Sequence, residues 1–247
     1  MGKYFQVEVK PIINASIQKL GAFADGDVLF DWTAFDLPKG ANRLIDARAI
    51  SRGADGVANS FAMAIHFAKT LNKTQPATIG TSHAAPQVGE YYNHSIGHLS
   101  SEELDTLTGA GGSIAGLNHH LFLNNRQAPH EFVLQGEPDS GENVGFDKFY
   151  IAGVNIDGDP TFASTVQVGT SDTSTSSPII TVKTTQATKL FAVGDIVHDE
   201  DNQLMGTIKS VDSTTQITLE ENCANVSAVN KDLYVLNPIK FILSFER

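Results

Sequence analysis

Pro238-Ile239-Lys240-Phe241-Ile242-Leu243-Ser244-Phe245-Glu246-Arg247 closes the chain, and its reading decides the fold. In an extended strand successive side chains point to opposite faces, so Ile239, Phe241, Leu243 and Phe245 share one face while Lys240, Ser244 and Glu246 share the other. A terminus frays unless tertiary contacts hold it, so four apolar residues placed here predict a strand paired inside a main core. The start mirrors the end: Phe5, Val7 and Val9 alternate with Gln6, Glu8 and Lys10. Both ends therefore read as strands of one β domain. What lies between must leave that domain and return.

Working inward, Pro11 interrupts the first strand and Ile12 to Leu20 reads as a second extended piece with Ile13, Ala15 and Ile17 on one side. Val28 to Phe35 alternates Val28, Phe30 and Trp32 with Asp31 and Thr33, and Leu44 to Ser51 continues the pattern after a Pro38-Lys39-Gly40 turn. Phe61 to Ala68 sets Phe61, Met63, Ile65 and Phe67 against Ala62, Ala64, His66 and Ala68. Its alanines would tolerate a helix, but strict alternation favours a strand. Phe149 to Ile156 is again strand-like, and Asp157-Gly158 is a hairpin signal that predicts Phe162 to Val168 as the partner strand. Gly169 to Ser177 has no aliphatic or aromatic residue and reads as a flexible linker. Short strands follow at the spacing of a small barrel: Ile179–Val182, Ile196–His198, Leu204–Val211, Gln216–Glu220 and Leu233–Leu236. Asn237-Pro238 then leads into the last strand, so the barrel is an insertion. The expected architecture is all-β: a jelly-roll-like β-sandwich core over residues 1–168, completed by 238–247, a linker at 169–177, and an inserted small β-barrel at 178–236.

From Leu71 to Lys148 the patterning weakens, and six of the eight histidines fall there. A Ser-x-x-Glu capping box at Ser100-Ser101-Glu102-Glu103 predicts a short helix stopped by Gly109. Leu121–Leu123 and Glu131–Gln135 read as short strands joined by a turn containing Asn124, Asn125 and Pro129. Long irregular segments are usually mobile or binding elements, so the stretch from His83 to Pro129 is the expected contact region. Tyr91, Tyr92, Ile96 and Leu99 are its expected interface residues, buried only on assembly, with Tyr91 and Tyr92 as anchors.

Composition narrows the partners. With 28 acidic and 17 basic side chains the formal charge is −11, which repels a phosphate backbone unless basic residues cluster. The nearest cluster, Arg43, Arg48 and Arg52, has Asp46 and Asp55 interleaved, so nucleic acid is not an expected partner. One cysteine, Cys223, leaves no internal disulfide to form, and stability must come from packing. Met1 to Gln6 enters the alternation without an apolar run, so no membrane association is expected.

Candidate chemistry is sparse. His94 and His98, adjacent His119 and His120, and nearby His83 and His130 could in principle meet at a metal. Gly97 and Ser95 weaken any helix that would align His94 with His98, adjacent histidines in a strand diverge, and no His-x-His occurs. Thr108-Gly109-Ala110-Gly111-Gly112-Ser113 lacks the Gly-Lys-Ser/Thr of a phosphate loop. Asp157-Gly158-Asp159 and Asp199-Glu200-Asp201 do not continue into calcium-loop spacing and read as turns. Cys223 sits near Glu220 and Glu221, which would raise its pKa. No catalytic residue, cofactor or metal is expected.

Phe191 to Glu221 carries Val193-Gly194-Asp195-Ile196-Val197, Gly206-Thr207-Ile208-Lys209-Ser210-Val211-Asp212 and Thr215-Gln216-Ile217-Thr218-Leu219. This stretch resembles small barrel modules of virion structural proteins in tailed bacteriophages of the marine and cyanophage type. The resemblance implies a non-enzymatic structural protein, a capsid decoration or cement protein first and a tail or baseplate component next. It also implies homo-oligomers, contacts with a major capsid protein or other virion proteins, and assembly in the host cytoplasm into the virion. The competing class is a metal-dependent or carbohydrate-active β-barrel enzyme using the His-rich loops.

Overall fold

The terminal strand lies in the middle of a sheet. In the computed structural model, which describes residues 3–53, 61–71, 74–87, 89, 91–101, 117–123, 132–136, 148–183 and 187–247, β14 (Ile239–Glu246) runs between β1 (Tyr4–Val9) and β3 (Gly40–Arg52), antiparallel to both. Ile239, Phe241, Leu243 and Phe245 are completely buried. Burying each such side chain contributes roughly 1.5–3 kcal/mol, enough to fix the register of this eight-residue strand.

The remaining strands of this unit are β2 (Val28–Asp36), β4 (Ala62–Lys69), β5 (Ser95–Ser101), β6 (Leu117–Leu123), β7 (Phe132–Gly136) and β8 (Lys148–Asp157). Their pairing follows a simple rule. β1 pairs β14, β2 pairs β8, β3 pairs β6 and β4 pairs β5, as in a long antiparallel ribbon folded at its middle. The ribbon then wraps, bringing β14 against β3 and β8 against β4, while Ser100 and Ser101 of β5 pair Leu123 and Phe122 of β6. The resulting order is β1-β14-β3-β6-β5-β4-β8-β2, and its two halves face each other across one core. Phe30 of β2 meets Phe241 of β14 at 5.5 Å between ring centres, and Phe122 of β6 meets the same ring at 5.9 Å. The fold is thus an all-β, antiparallel sandwich.

Both faces of β4 are covered, as its two apolar sets predict. Met63, Ile65 and Phe67 point into the core, and Ala62, Ala64 and Ala68 are buried on the other side. Other expectations change. Ile12 to Leu20 is not extended; Ala15–Gln18 forms α1, one turn that puts the buried Ala15 and Gln18, three apart, on one face. Phe162 to Val168 does not pair β8, because β2 and β4 already occupy both edges of that strand. Gly158, at φ 82°, turns the chain away instead, and the Asn155 amide holds the exit by donating to Ala24 O (3.1 Å) and Gly158 O (2.7 Å). β6 and β7 are not partners in a hairpin. Each pairs a different half of β3, Arg48–Arg52 and Gly40–Leu44, so they run one after the other along the same neighbour. Ser100 and Ser101 end a strand; the rest of the expected helix, the Thr108–Ser113 loop, the Asn124–Pro129 turn and His130 lie outside the described residues.

The second unit holds β9 (Ile179–Thr181), α2 (Ala187–Leu190), β10 (Ile196–Asp199), β11 (Leu204–Ser213), β12 (Gln216–Leu219) and β13 (Leu233–Val235), with sheet order β13-β10-β11-β12-β9. Residues 166–169 bridge the two edges: Leu233 N donates to Val166 O (2.8 Å) and Val168 N to Lys231 O (2.9 Å) on one side, and Gly169 N donates to Thr181 O (2.7 Å) on the other. The ring is closed by the stretch expected to be β8's partner. Val166 and Val168 accordingly belong to this unit's own apolar cluster, with Ile180, Val197, Met205, Ile208, Ile217 and Leu233. The Gly169–Ser177 stretch lies against the ring: Thr173 is buried, its N–H donates to Ser227 O (3.0 Å), and its hydroxyl accepts from Ser227 N (2.7 Å).

Candidate functional site

Three places can be weighed: the segment joining β4 to β5, the histidines, and the joint between the two units. The first is the expected interface. Its described part, residues 74–87, 89 and 91–94, folds over the outer face of β2 and β8, where Val28, Ile79, Ala152 and Val154 form a small buried cluster with Trp32 and Tyr91 against it. Trp32 Nε1 donates to Ala77 O (2.7 Å), Val28 N to Ala84 O (2.9 Å), and Ile79 N to the Asp31 carboxylate (3.0 Å). Gly80 passes so close that an added Cβ would come within 3.2–3.3 Å of Val28, Ala85 and Pro86.

This packing separates the four expected interface residues. Leu99, on β5, is 7% exposed within the main core, and Ile96 packs partly buried against the same core. Tyr91 is half-buried, its ring 5.7 Å from Trp32 in an edge-on arrangement. Tyr92 alone stands out, at 78% exposure. Alternation in β5 places Leu99 inside, opposite Ile65, and Ile96 packs on the same core at the register shift between Phe67 and Ala68, while Tyr92 is the member of the set with a free surface. The sequence obscured β5 because Gly97 and His98 break its apolar alternation.

The described histidines are engaged one by one. His94 Nδ1 meets Lys69 O (2.9 Å), His120 Nε2 meets Ser51 Oγ (2.8 Å), His198 Nδ1 meets Asn202 O (3.0 Å), and His83 stacks on Phe23 at 3.8 Å with Nε2 near Ile17 O (3.2 Å). His66 and His98 are direct cross-strand partners whose rings stack at 5.5 Å. Burial, and then the charge of His98, hold His66 below its ordinary pKa. Among the described residues no group of three or more His, Cys, Asp or Glu is placed to hold a metal ion. Cys223 is buried, and burial, not Glu220 or Glu221, pushes its thiol pKa up.

The joint is the most elaborate polar construction between the units. The Arg52 guanidinium forks onto the Asp195 carboxylate, with Nη2 donating to Oδ1 at 3.1 Å, Nη1 bonded to Oδ2, and Nη1 also donating to Leu190 O at 2.8 Å. These two side chains are only 20% and 14% exposed. Gln18 Nε2 donates to Val235 O (2.8 Å), Ile13 N to Leu236 O (2.9 Å), and Ala15 N to Asn202 Oδ1 (3.2 Å). Beside it opens a cleft of about 320 Å³ lined by Lys10, Ile50, Arg52, Val193, Asp195 and Lys240 among others. Its cations are already matched: Glu8 pairs with Lys10 (2.9 Å) and Lys240 (3.4 Å), and the Lys10 ammonium foremost holds the Glu8 carboxyl below the usual carboxylate range. Chemically this is a clamp. No helix among the described residues is long and apolar enough to cross a membrane. Compared with known proteins, the chain matches no family model, no curated protein and no solved structure.

Proposed function

We propose that this chain is a structural, non-enzymatic component of a tailed-phage particle, a capsid decoration or cement protein that binds itself and the major capsid protein. The observation that carries the reading is the Arg52–Asp195 clamp, with the backbone and amide bonds around it. A protein that changes shape around a substrate keeps its units on loose hinges; here the sandwich and the second unit are joined by a partly buried charge-assisted fork and by amide and backbone hydrogen bonds beside it. A rigid block with two differently shaped ends suits a shell, where many modest contacts add by multivalency. The strand order supports the same reading: first with last and second with next-to-last is the order of a jelly roll, with the second barrel inserted before its last strand. The resemblance of residues 191–221 to virion barrel modules supplies the class of particle. Adding the purified chain to particles that lack it tests the role. The reading requires saturable binding and a raised heat-disruption temperature of the heads; particles that neither bind it nor gain stability refute it.

A further inference from the structure

Among the described residues, the main path of the wrapped sheet, from which β7 branches beside β3, ends at β1 and β2, and these two edges are finished differently. Along β2 the outer side is taken: Val28 N donates to Ala84 O (2.9 Å), His83 N to Val28 O (3.3 Å), and Asp31 receives Ile79 N (3.0 Å). The ladder of β2 with β8 is further broken by two register shifts. These are the devices by which proteins blunt a sheet edge. β1 has none of them. Its register with β14 runs without a shift from Tyr4 to Val9, and among the described residues β14 is its sole ladder partner.

The direction of its free backbone groups follows from one pair. Lys3 and Arg247 exchange both bonds, N–H to O, at 3.1 and 2.9 Å, and hydrogen-bonded pairs recur at every second residue of an antiparallel ladder. Lys3, Phe5, Val7 and Val9 therefore bond inward to β14, and Tyr4, Gln6 and Glu8 present N–H and C=O to the open side. The inner-face residues Phe5 and Val7 are only partly buried, as they would be where a core lacks its last neighbour.

We propose that this edge pairs with β1 of a second copy, antiparallel about a twofold axis centred on Gln6. That register sets Tyr4 opposite Glu8 of the second copy, Gln6 opposite Gln6, and Phe5 opposite Val7, so every outward N–H of the three residues finds a carbonyl. The half-covered Phe5 and Val7 extend both cores across the axis, and no like charges face each other. Shifting the centre to Val7 would set Tyr4 opposite Lys10, whose carbonyl already accepts from Asn237 Nδ2 (3.1 Å). The chain's formal charge of −11 is not concentrated here, since the stretch from Lys3 to Lys10 holds two lysines and one glutamate. The pairing does not depend on a role in a particle.

Sedimentation of the full chain over the micromolar range tests it. The wild type is expected to be a dimer, and a monomer throughout that range overturns the proposal. Gln6→Pro removes the central outward N–H, which serves no ladder bond inside the chain, and is expected to weaken the dimer roughly tenfold or more. Gln6→Lys and Gln6→Glu, surface changes that keep the backbone donor, should each weaken self-association by opposing like charges, while an equimolar mixture restores dimers as mixed pairs. Unchanged association of these variants, or a mixture no tighter than its components, shows that residue 6 does not face itself.

Discussion

Gly153 of β8 sits directly under the Phe30 ring, its register partner on β2: an added Cβ would lie 2.2 Å from that ring. Since Phe30 also packs on Phe241 across the core, the ring has little room to yield. Gly153→Ala should therefore destabilise the protein by about 1–3 kcal/mol through overpacking, read as a lower urea midpoint with unchanged slope. His66 makes the complementary case, a residue whose effect depends on pH. Its folded pKa is depressed below 6.5 by burial and by His98. Below 6.5 the unfolded chain takes up a proton that the folded chain resists, so the contribution is fully present above 6.5 and is lost as pH falls from there until the folded value is passed. Asn in place of His66 should flatten the decline of melting temperature between about pH 7 and pH 5; an equally steep decline would assign it elsewhere. Neither role was legible in the sequence. His66 reads there only as the odd member of a small-residue face, and Gly153 as a lone glycine within a strand, because both effects come from a cross-strand neighbour distant in sequence.

Elements were legible where alternation is clean. β1, β2, β4, β8, β14 and the five strands of the second sheet lie close to where the period-two pattern places them, since each buries at least one face. β5 was hidden because Gly97 stands where its inner face needs only to clear Phe67, its register partner, and His98 where the outer face meets His66. α1 was misread as extended because one helical turn is too short for a period of 3.6 to show. The strength of the β14 pattern carries a direct expectation. Deleting Phe241 to Arg247 strips β1 and β3 of their shared partner and forfeits the burial of Phe241, Leu243 and Phe245, roughly 1.5–3 kcal/mol each, before the lost ladder is counted. The truncated chain should show no cooperative melt, whereas a sharp transition would place this strand outside the core.

At the scale of the molecule, the way the second sheet is attached to the first was not visible in the sequence. Gly169 to Ser177 reads as a tether by composition alone; its Thr173 is buried because hydroxyls can satisfy the backbone of a neighbouring loop. The clamp joins Arg52 and Asp195, 143 positions apart, which no local pattern reveals. Arg52→Ala leaves Asp195 partly buried without its cation and should cost about 3 kcal/mol at the joint. Trp32, the sole tryptophan, lies in the sandwich, so its fluorescence reports that unit while circular dichroism reports both. The two melting curves should coincide in the wild type and separate in Arg52→Ala. The proposed role in a particle is measured most directly by quantitative mass spectrometry of purified particles encoded by the same genome. The account predicts this chain at a fixed, high copy number relative to the major capsid protein, retained through density-gradient purification; its absence from the particles, with the chain abundant in the lysate, would contradict it.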